Sequence, residues 1–352
     1  MLVRPRWLQP GDRIAAVTSS WGGPGTFPHR YEAGKRQLEA TFGVEVVEMP
    51  HTLAEPAAVA ADPAARADDL HRAFADPDIA GVVSTIGGDD SIRLLRHLDV
   101  GVLAANPKPY LGYSDSTISH MALRRAGITS FYGPSIMAGF GENGGLHDYL
   151  VEGVRRALFE VDAPYDWPEN RDGWTVEHLD WADPANQQRR RALRPSTGWR
   201  WHGGEQREGV TVVGCLEVLD FLRGTAWWPS LDGAVLILET SEDQPPPVTV
   251  TYLLRSLAAT GELQRLAGLV FGRPGGAYLP VEQHAAYDEA ILQVVREEEG
   301  LDALPVVTGV DLGHTDPIWT VPQGVRMRVD PASSAITILE PGVTAESESW
   351  TA

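Results

Sequence analysis

The chain has 352 residues, 43% of them hydrophobic and 22% charged, which is typical of a globular protein with a core large enough for two domains. Its net charge of −19 argues against binding to a nucleic-acid backbone or to anionic lipid, since both need clustered lysine and arginine. The single cysteine, Cys215, excludes an internal disulfide, and its apolar neighbours predict a buried structural thiol.

The first half of the chain alternates between strand and helix patterns. Short apolar runs bounded by turn residues predict strands at residues 13–20, 44–50, 80–88, 108–113 and 129–134. Segments with helical spacing lie between them, at residues 30–42, 57–75, 90–98 and 114–127. Strands separated by helices of this length predict βαβ units, and hence an α/β fold with a parallel sheet.

Residues 164–208 interrupt this alternation. The segment is rich in proline, glycine and charge, has no sustained periodicity, and carries several tryptophans, among them Trp174 and Trp181. Indoles at this density need a surface to pack on, so we predict an ordered loop. A loop of this length inside a compact protein is usually functional or a domain connection.

Regular patterns return after the loop. A strand followed by a helix is predicted over 209–224, further strands at 233–239, 266–274 and 305–314, helices at 248–261 and 281–300, and a closing hairpin at 325–330 and 335–341. The chain is therefore predicted to comprise an N-terminal α/β domain (1–163), a Trp-rich connection (164–208), a C-terminal domain (209–341) and a frayed tail (342–352).

Three reactive side chains directly follow or close predicted strands. Ser114 comes after "YLGY", Glu239 closes "GAVLILE", and His314 follows "PVVTGVDLG". Ligand sites in open α/β sheets lie beyond the carboxyl ends of strands. A serine, a base that takes its proton and a carboxylate that orients the base are the parts of a nucleophilic triad, so we predict these three as catalytic residues. Gly112, two residues before the serine, indicates a backbone that turns tightly or is approached closely.

Each of the three residues also has an ordinary structural explanation. Ser114 could cap the helix that follows it, as could Asp115 or Ser116. Glu239 could be the first solvated residue past its strand, although a carboxylate after five apolar residues is costly to bury without a partner. His314 could be a loop histidine bonded to backbone. A cap, however, requires neither of the other two residues, and this favours the nucleophile.

A nucleophilic serine also needs donors for the oxyanion that forms when it attacks. The loop "TIGGDDS" (85–91) follows a predicted strand, and Gly87 and Gly88 would let backbone amides approach a substrate, with the amide of Asp115 as a second donor. The two acids in this loop, and the lack of G-x-G-x-x-G after any strand, argue against a dinucleotide site. No histidine or carboxylate cluster has metal-ligand spacing, so we expect no metal and no cofactor.

The chain resembles the LD-carboxypeptidase family of serine peptidases, and more closely its microcin-C-immunity (MccF-like) branch. Six motifs in order carry the resemblance over nearly the whole chain: "LQPGDRIAAVTSS", "TIGGDDS", "GYSDST", "GCLEVLDFLRGT", "LILETSED" and "PVVTGVDLGHTDP". The resemblance implies that Ser114 is the nucleophile, Glu239 the orienting carboxylate and His314 the general base. It also implies that the backbone amides of Gly88 and Asp115 bind the oxyanion.

The resemblance further implies a flavodoxin-like or amidotransferase-like parallel-sheet half and a β-rich α/β half, with the site at their junction, and a homodimer. The implied reaction is hydrolysis of an amide bond next to a free carboxylate. In LD-carboxypeptidases this bond joins an L to a D residue of cell-wall peptides. In MccF-like members it joins aspartate to a modified nucleotide, or occurs in related aminoacyl-sulfamoyl adenylates, and hydrolysis detoxifies them.

Two features favour the MccF-like branch. One is the run "LETSED", and the other is the Trp-rich segment, which resembles a long loop whose tryptophan stacks on a nucleobase. Trp181 is the predicted stacking residue and Trp174 the second choice, although any single indole could simply pin the loop to the body. One departure from the family is Val213-Gly214, where two glycines are usual, which puts the local backbone geometry in question.

Three alternative hypotheses remain open at this point. The same chemistry could act on cell-wall muropeptides as an LD-carboxypeptidase. The chain could be a two-domain ligand-binding protein that has the cleft without the chemistry. It could also be an α/β-hydrolase, which has the same Ser…Glu…His order, but Ser116 occupies the second glycine position of that fold's G-x-S-x-G elbow.

The expected partner is a small peptide or a peptidyl-nucleotide substrate, with no nucleic acid and no membrane. The stretch "MLVRPRWLQPGDRI" has no cationic segment followed by an apolar one, and the apolar runs are too short to span a bilayer. We therefore expect a cytoplasmic protein.

Overall fold

The computed structural model describes residues 2–276 and 278–345. Its strands are β1 (Arg13–Val17), β2 (Glu45–Glu48), β3 (Gly81–Ser84), β4 (Tyr110–Gly112), β5 (Phe131–Tyr132), β6 (Tyr165–Trp167), β7 (Arg200–Trp201), β8 (Arg207–Cys215), β9 (Ala234–Glu239), β10 (Gly268–Gly272), β11 (Val306–Val310), β12 (Val321–Pro322), β13 (Arg326–Asp330) and β14 (Ala335–Ile338).

The α-helices are α1 (Gly23–Thr26), α2 (Pro28–Phe42), α3 (Pro56–Ala61), α4 (Pro63–Ala75), α5 (Val100–Ala105), α6 (Thr117–Arg125), α7 (Asp148–Val154), α8 (Leu216–Asp220), α9 (Pro247–Ala259) and α10 (His284–Leu292). Short 3₁₀ helices lie at Ser91–Arg96, Ser114–Ser116, Pro184–Gln188, Leu263–Arg265 and Val281–Gln283, and π-helical turns extend α7 and α10 at Arg155–Phe159 and Gln293–Glu298. Within the described ranges, no helix combines the length and the apolar character needed to cross a bilayer.

The first sheet has six strands in the order β12-β5-β4-β3-β1-β2. Strands β1 to β5 pair in parallel, as the alternating strand and helix patterns predict. The edge strand β12 pairs antiparallel with β5, with Val321 opposite Tyr132. A piece of the C-terminal half therefore completes the N-terminal sheet, and the two halves of the chain are interleaved.

The second sheet has eight strands in the order β6-β14-β13-β8-β9-β10-β11-β7. Its central strands β8 to β11 are parallel, and the outer strands are antiparallel. Every residue of β9 is buried, and its side chains alternate between two hydrophobic clusters, one on each face of the sheet. Burial on both faces explains why this strand is a continuous apolar run instead of an alternating one.

The predicted fold class is confirmed, since the protein is a mixed α/β structure with two open sheets. Several local predictions differ in detail. The predicted helix at 90–98 is a 3₁₀ helix at Ser91–Arg96, and the predicted helix at 281–300 changes type along its length. Helices α5 and α7 and strand β12 were absent from the sequence prediction, because segments this short carry little periodicity.

The Trp-rich segment is attached to the second sheet at two places. Strand β6 pairs with β14 at one edge, and β7 pairs with β11 at the opposite edge. The domain boundaries themselves stay a prediction. Of the predicted tail, Val343 is buried and the Thr344 amide donates to the Pro5 carbonyl, so the tail is ordered over 342–345, while 346–352 lie outside the described residues.

Helix α2 packs closely on the turn that follows β5. A Cβ atom added to Gly34 would lie 1.9 Å from the Ile136 carbonyl oxygen. We expect Gly34→Ala to lower the free energy of unfolding by about 1–3 kcal/mol, because the helix must move away from the turn. This is opposite in sign to the gain of about 0.5–1 kcal/mol that alanine brings in an unobstructed helix interior.

The matched control is Gly101→Ala in α5, where an added Cβ would approach only the exposed Asp99 side chain, at 3.1 Å. We expect this variant to be neutral or slightly stabilised. Urea unfolding measures both variants, and equal stabilities would contradict the close packing of α2.

Candidate active site

Ser114 lies at the turn between β4 and α6, and it adopts a left-handed backbone conformation with φ of +62°. This conformation costs a residue other than glycine about 1–3 kcal/mol, so the surroundings must hold it in place. The Ser114 amide donates to the Tyr132 hydroxyl at 3.0 Å, and the Thr117 hydroxyl donates to the Ser114 carbonyl at 2.7 Å. The Ser114 side chain makes no helix-capping bond, which removes the ordinary explanation for this serine.

Of the two explanations for Gly112, close approach is correct. A Cβ on this residue would lie 2.8 Å from Ser116 Oγ and 2.9 Å from Ser84 Cβ. The left-handed residue of the turn is Ser114. The small size of Gly112 therefore lets the turn pack against β3, while the change of direction occurs at the serine.

The structure brings Ser114, His314 and Glu239 together. Ser114 Oγ lies 3.0 Å from His314 Nε2, and His314 Nδ1 lies 2.7 Å from Glu239 Oε2. Ser114 follows β4 of the first sheet, whereas Glu239 ends β9 and His314 follows β11 in the second. The three side chains thus meet at the junction of two sheets. This contradicts the α/β-hydrolase hypothesis, which requires one continuous sheet beneath all three.

Tyr132 links the two sheets at this point. Besides accepting the Ser114 amide, its hydroxyl donates to Glu239 Oε1 at 2.5 Å. Burial raises the pKa of Tyr132 well above its usual value, so the phenol stays a neutral donor. Both oxygens of the fully buried Glu239 carboxylate therefore have partners. Sequence reasoning missed Tyr132, because it lies inside the predicted strand "TSFYGP" (129–134) and ends a strand only in the structure, where β5 stops at Tyr132.

Two carboxylates act on His314. Burial lowers the pKa of the imidazole, but Glu239 and Glu242 raise it by more, and the net pKa lies well above the usual value. Glu242 Oε2 is 2.9 Å from Nε2, the nitrogen that also faces Ser114. The imidazolium charge and its hydrogen bond in turn lower the pKa of Glu242 to about 2.

The contact between Glu242 and His314 belongs to the protonated imidazole. A neutral ring whose Nδ1–H faces Glu239 presents a lone pair at Nε2, and that lone pair cannot donate to a carboxylate. The Glu242 side chain is 71% exposed, so solvent weakens its hold on the ring compared with that of the buried Glu239. Glu242 lies in the motif "LETSED", but its position beside the base was not predicted.

The glycine-rich loop lies directly against Ser114. A Cβ on Gly87 would lie 2.9 Å from Ser114 Oγ, and Gly88 has φ of +148°, so both positions need glycine. Among the described residues, the amides of Gly88 and Asp115 donate to no protein acceptor. Two free donors beside a serine hydroxyl are what the oxyanion of an acyl transfer needs.

A cavity of about 640 Å³ opens over Ser114 and His314 and extends to Trp181. The Trp181 indole packs edge-on against Phe27, with 6.0 Å between ring centroids, and the Arg30 guanidinium lies 4.6 Å from its ring centroid. The cavity is therefore wide enough to hold a ligand that reaches from the serine to an aromatic ring.

Trp174 is placed differently. It is only 2% exposed, and it packs against the guanidinium groups of Arg194 and Arg273, 5.0 and 4.8 Å from its ring centroid. It does not line the cavity. Of the two indoles predicted to contact substrate, only Trp181 is in a position to do so, and Trp174 instead pins the Trp-rich segment to the protein body.

Two arginines that the sequence did not identify line the same cavity. Arg30 donates to Asn143 at 2.6 Å, and burial lowers its pKa to about 10. Arg191 bonds to Glu142 and, at 2.7 Å, to Asp316. Protein partners thus fix both guanidinium groups. In the described ranges, no group of three or more histidine, cysteine or acidic side chains is arranged to hold a metal ion.

Two family models match the chain. The N-terminal domain of LD-carboxypeptidases matches residues 14–133, and the C-terminal domain matches residues 208–329. The chain belongs to the LD-carboxypeptidase family. It is therefore a serine peptidase, and the hypothesis of a ligand-binding protein without chemistry is set aside.

Relatives of this chain within the family carry different names. It is 29% identical to the microcin C7 self-immunity protein MccF of Escherichia coli over 290 residues, which cover 80% of each chain. It is 25% identical to the probable murein peptide carboxypeptidase of Bacillus subtilis over 281 residues, 79% of this chain and 77% of the relative. The solved structure of MccF in complex with aspartyl sulfamoyl adenosine matches with a TM-score of 0.81 at 26% identity, covering 97% of this chain and all of that one. The predicted similarity to the MccF-like branch is confirmed.

We expect Glu242→Gln to shift the acidic limb of the pH profile of kcat/KM to lower pH. As a general base His314 would act in its neutral form, so activity should fall as pH drops below the pKa of His314. Removing the charge of Glu242 removes one of the two carboxylates that raise this pKa, and the neutral base then persists to lower pH.

The matched control is Asp243→Asn. Asp243 also lines the cavity, but among the described residues it makes no ion pair with His314. Its pH profile should coincide with that of the wild type. A Glu242→Gln limb that stays in place, or moves to higher pH, would contradict the assigned contact.

Proposed function

We propose that this serine peptidase hydrolyses an amide bond near a free carboxylate through a Ser114–His314–Glu239 triad. The observation that carries the proposal is the unbroken chain of hydrogen bonds from Ser114 Oγ through His314 to Glu239, at the floor of the cavity. A serine hydroxyl is a weak nucleophile until a base removes its proton, and this arrangement supplies both the base and the group that orients it.

The reaction follows from these positions. Ser114 Oγ attacks the substrate carbonyl carbon while His314 Nε2 takes its proton, and Glu239 stabilises the imidazolium that results. The amides of Gly88 and Asp115 bind the oxyanion. The imidazolium then gives its proton to the leaving amine, which departs and leaves an acyl-enzyme ester on Ser114. A water molecule, deprotonated by His314, hydrolyses this ester and restores the serine.

For the substrate we favour a microcin C-type peptidyl nucleotide or an aminoacyl-sulfamoyl adenylate, which hydrolysis would detoxify. Support comes from the 29% identical relative that is named for microcin C7 self-immunity, and from the similar MccF structure that holds aspartyl sulfamoyl adenosine. The Trp181 indole lines the cavity and offers a surface on which a nucleobase can stack.

The alternative substrate is a cell-wall muropeptide. It is favoured by the similarity to the probable murein peptide carboxypeptidase of Bacillus subtilis. The chemistry would be the same, and only the group on each side of the scissile amide would differ. Parallel assays on aspartyl sulfamoyl adenosine and on an L,D-tetrapeptide separate the two substrate classes.

The predicted homodimer and the predicted cytoplasmic location remain part of the proposal. A single chain supplies all three proposed triad residues, so the chemistry would not depend on a residue from a second copy. Light scattering on the purified protein measures the number of copies in solution.

We expect Ser114→Ala to lower kcat by at least about four powers of ten on whichever substrate the wild type hydrolyses. The nucleophile is lost while the cavity is unchanged, so substrate binding should persist. Ser116→Ala, two residues further along the same turn, is the matched control and should keep near-normal turnover. Unchanged hydrolysis by Ser114→Ala would sink the proposed triad.

We expect Trp181→Ala to raise KM for aspartyl sulfamoyl adenosine by about five- to hundredfold. This is the change in affinity expected when one base loses the aromatic ring on which it stacks. Trp227→Ala is the control, because that indole packs against Arg125 outside the cavity. An equal rise in KM for an L,D-tetrapeptide would indicate that Trp181 only supports the cavity wall and does not stack on a base.

A further inference from the structure

The side chain of Asp115 holds two other loops against the nucleophile turn. Its Oδ2 accepts the Ser20 hydroxyl at 2.5 Å and the Ser91 amide at 2.8 Å. The Ser91 hydroxyl also donates to the Asp115 carbonyl at 2.7 Å. Ser20 belongs to the loop after β1, and Ser91 ends the glycine-rich loop after β3. One carboxylate oxygen therefore connects three loops.

Burying a carboxylate without a cation beside it costs free energy, so the buried position of the Asp115 side chain calls for an explanation. The Asp115 side chain is fully buried, and among the described residues no cation forms an ion pair with it. Burial raises the pKa of Asp115, and the bonds from Ser20 and Ser91 offset only part of that effect. A residue needed only to start the helix could have exposed its side chain to water.

The Ser20 hydroxyl also touches the glycine-rich loop. A Cβ on Gly88 would lie 2.2 Å from Ser20 Oγ, and the Trp21 amide donates to the Gly87 carbonyl at 3.1 Å. The Gly87–Gly88 backbone is thus enclosed between the Ser20 loop on one side and Ser114 on the other. Any movement of Ser20 would move Gly88 relative to the nucleophile.

We propose that the Asp115 carboxylate is a positioning residue that sets the distance between the two oxyanion donors. Its own backbone amide is one donor, and its side chain, through Ser20 and Ser91, fixes the loop that carries the other, at Gly88. This inference rests on the proposed function. Two donors stabilise one oxyanion only if both lie within hydrogen-bond distance of the same point, so the separation between them must be set in advance.

The Arg66 side chain also connects these two loops. The buried Arg66 guanidinium donates to the Ser19 carbonyl at 3.0 Å and to Asp90 at 2.6 Å. It holds the Ser20 loop and the glycine-rich loop to each other, but it does not reach the nucleophile turn. Only Asp115 joins that turn to both loops by side-chain hydrogen bonds among the described residues. Removing the Asp115 side chain should therefore disturb the position of the two oxyanion donors, while Arg66 keeps the Ser20 loop and the glycine-rich loop together.

We expect Asp115→Ala to lower kcat by about ten- to hundredfold with little change in KM, less than the roughly 10²–10³ that follows complete removal of a donor. The oxyanion exists only in the transition state and its neighbouring intermediate, so ground-state binding should be unaffected. Steady-state kinetics use aspartyl sulfamoyl adenosine, or the L,D-tetrapeptide if that is the substrate the wild type hydrolyses.

Two further variants keep the inference testable if Asp115→Ala fails to fold. Asp115→Asn should retain most of the wild-type kcat, because its amide oxygen can accept both hydrogen bonds at the Oδ2 position while its NH₂ occupies the Oδ1 position, which has no partner among the described residues. Ser20→Ala removes one of the two bonds and should lower kcat by less than Asp115→Ala, again without a rise in KM.

The control for a merely structural effect is Asp69→Ala. Asp69 is also buried and accepts two hydrogen bonds, from the His51 amide and imidazole, but it does not line the cavity. It should lose stability and keep its kcat. The inference is overturned if Asp115→Ala and Ser20→Ala keep the wild-type kcat. It is also overturned if Asp69→Ala lowers kcat by as much as Asp115→Ala does. Failure of the wild type to hydrolyse either substrate would instead contradict the proposed function.

Discussion

The rest of the site depends on a closed ring of hydrogen bonds that joins the two sheets. The Ser114 amide donates to Tyr132, Tyr132 donates to Glu239, Glu239 bonds His314, and His314 returns to Ser114 Oγ. The ring satisfies a buried carboxylate on both oxygens and holds a left-handed serine from its backbone and its side chain. Because Ser114 and Tyr132 come from the first sheet and the other two residues from the second, the ring forms only when the sheets are packed together.

The proposed triad and the wall of the cavity are built from different parts of the chain. The ring lies at the ends of core strands, whereas Trp181 and Arg191 of the cavity wall come from the Trp-rich segment, which is attached to both edges of the second sheet. A wall supplied by a loop can change without disturbing a site supplied by strands. This division fits a family whose relatives carry names as different as microcin immunity and murein carboxypeptidase.

The parallel part of the first sheet was predictable, because strand and helix patterns alternate along the first half of the chain and each pattern is set by neighbouring residues. The apolar run "GAVLILE" predicts a strand, and in the structure β9 is buried on both faces. The edge strands were less predictable. Strand β12 is two residues long and pairs at the edge of the first sheet. Strands β6 and β7 belong to the Trp-rich segment and pair at opposite edges of the second sheet. Such pairings depend on which edge has free hydrogen-bonding groups after the core has packed, and no local pattern records this.

The sequence by itself determined which reactive residues stand at strand ends, and so made Ser114, Glu239 and His314 the candidates, because a reactive side chain at the end of an apolar run is a local signal. Only the tertiary structure decided what surrounds them. It put Trp181 in the cavity and buried Trp174 against two arginines, although both indoles lie in the same aperiodic segment. It also brought Tyr132 to the carboxylate and Glu242 to the base. These contacts join residues far apart in the chain, and packing of the two sheets, which has no local signature, brings them within hydrogen-bond distance.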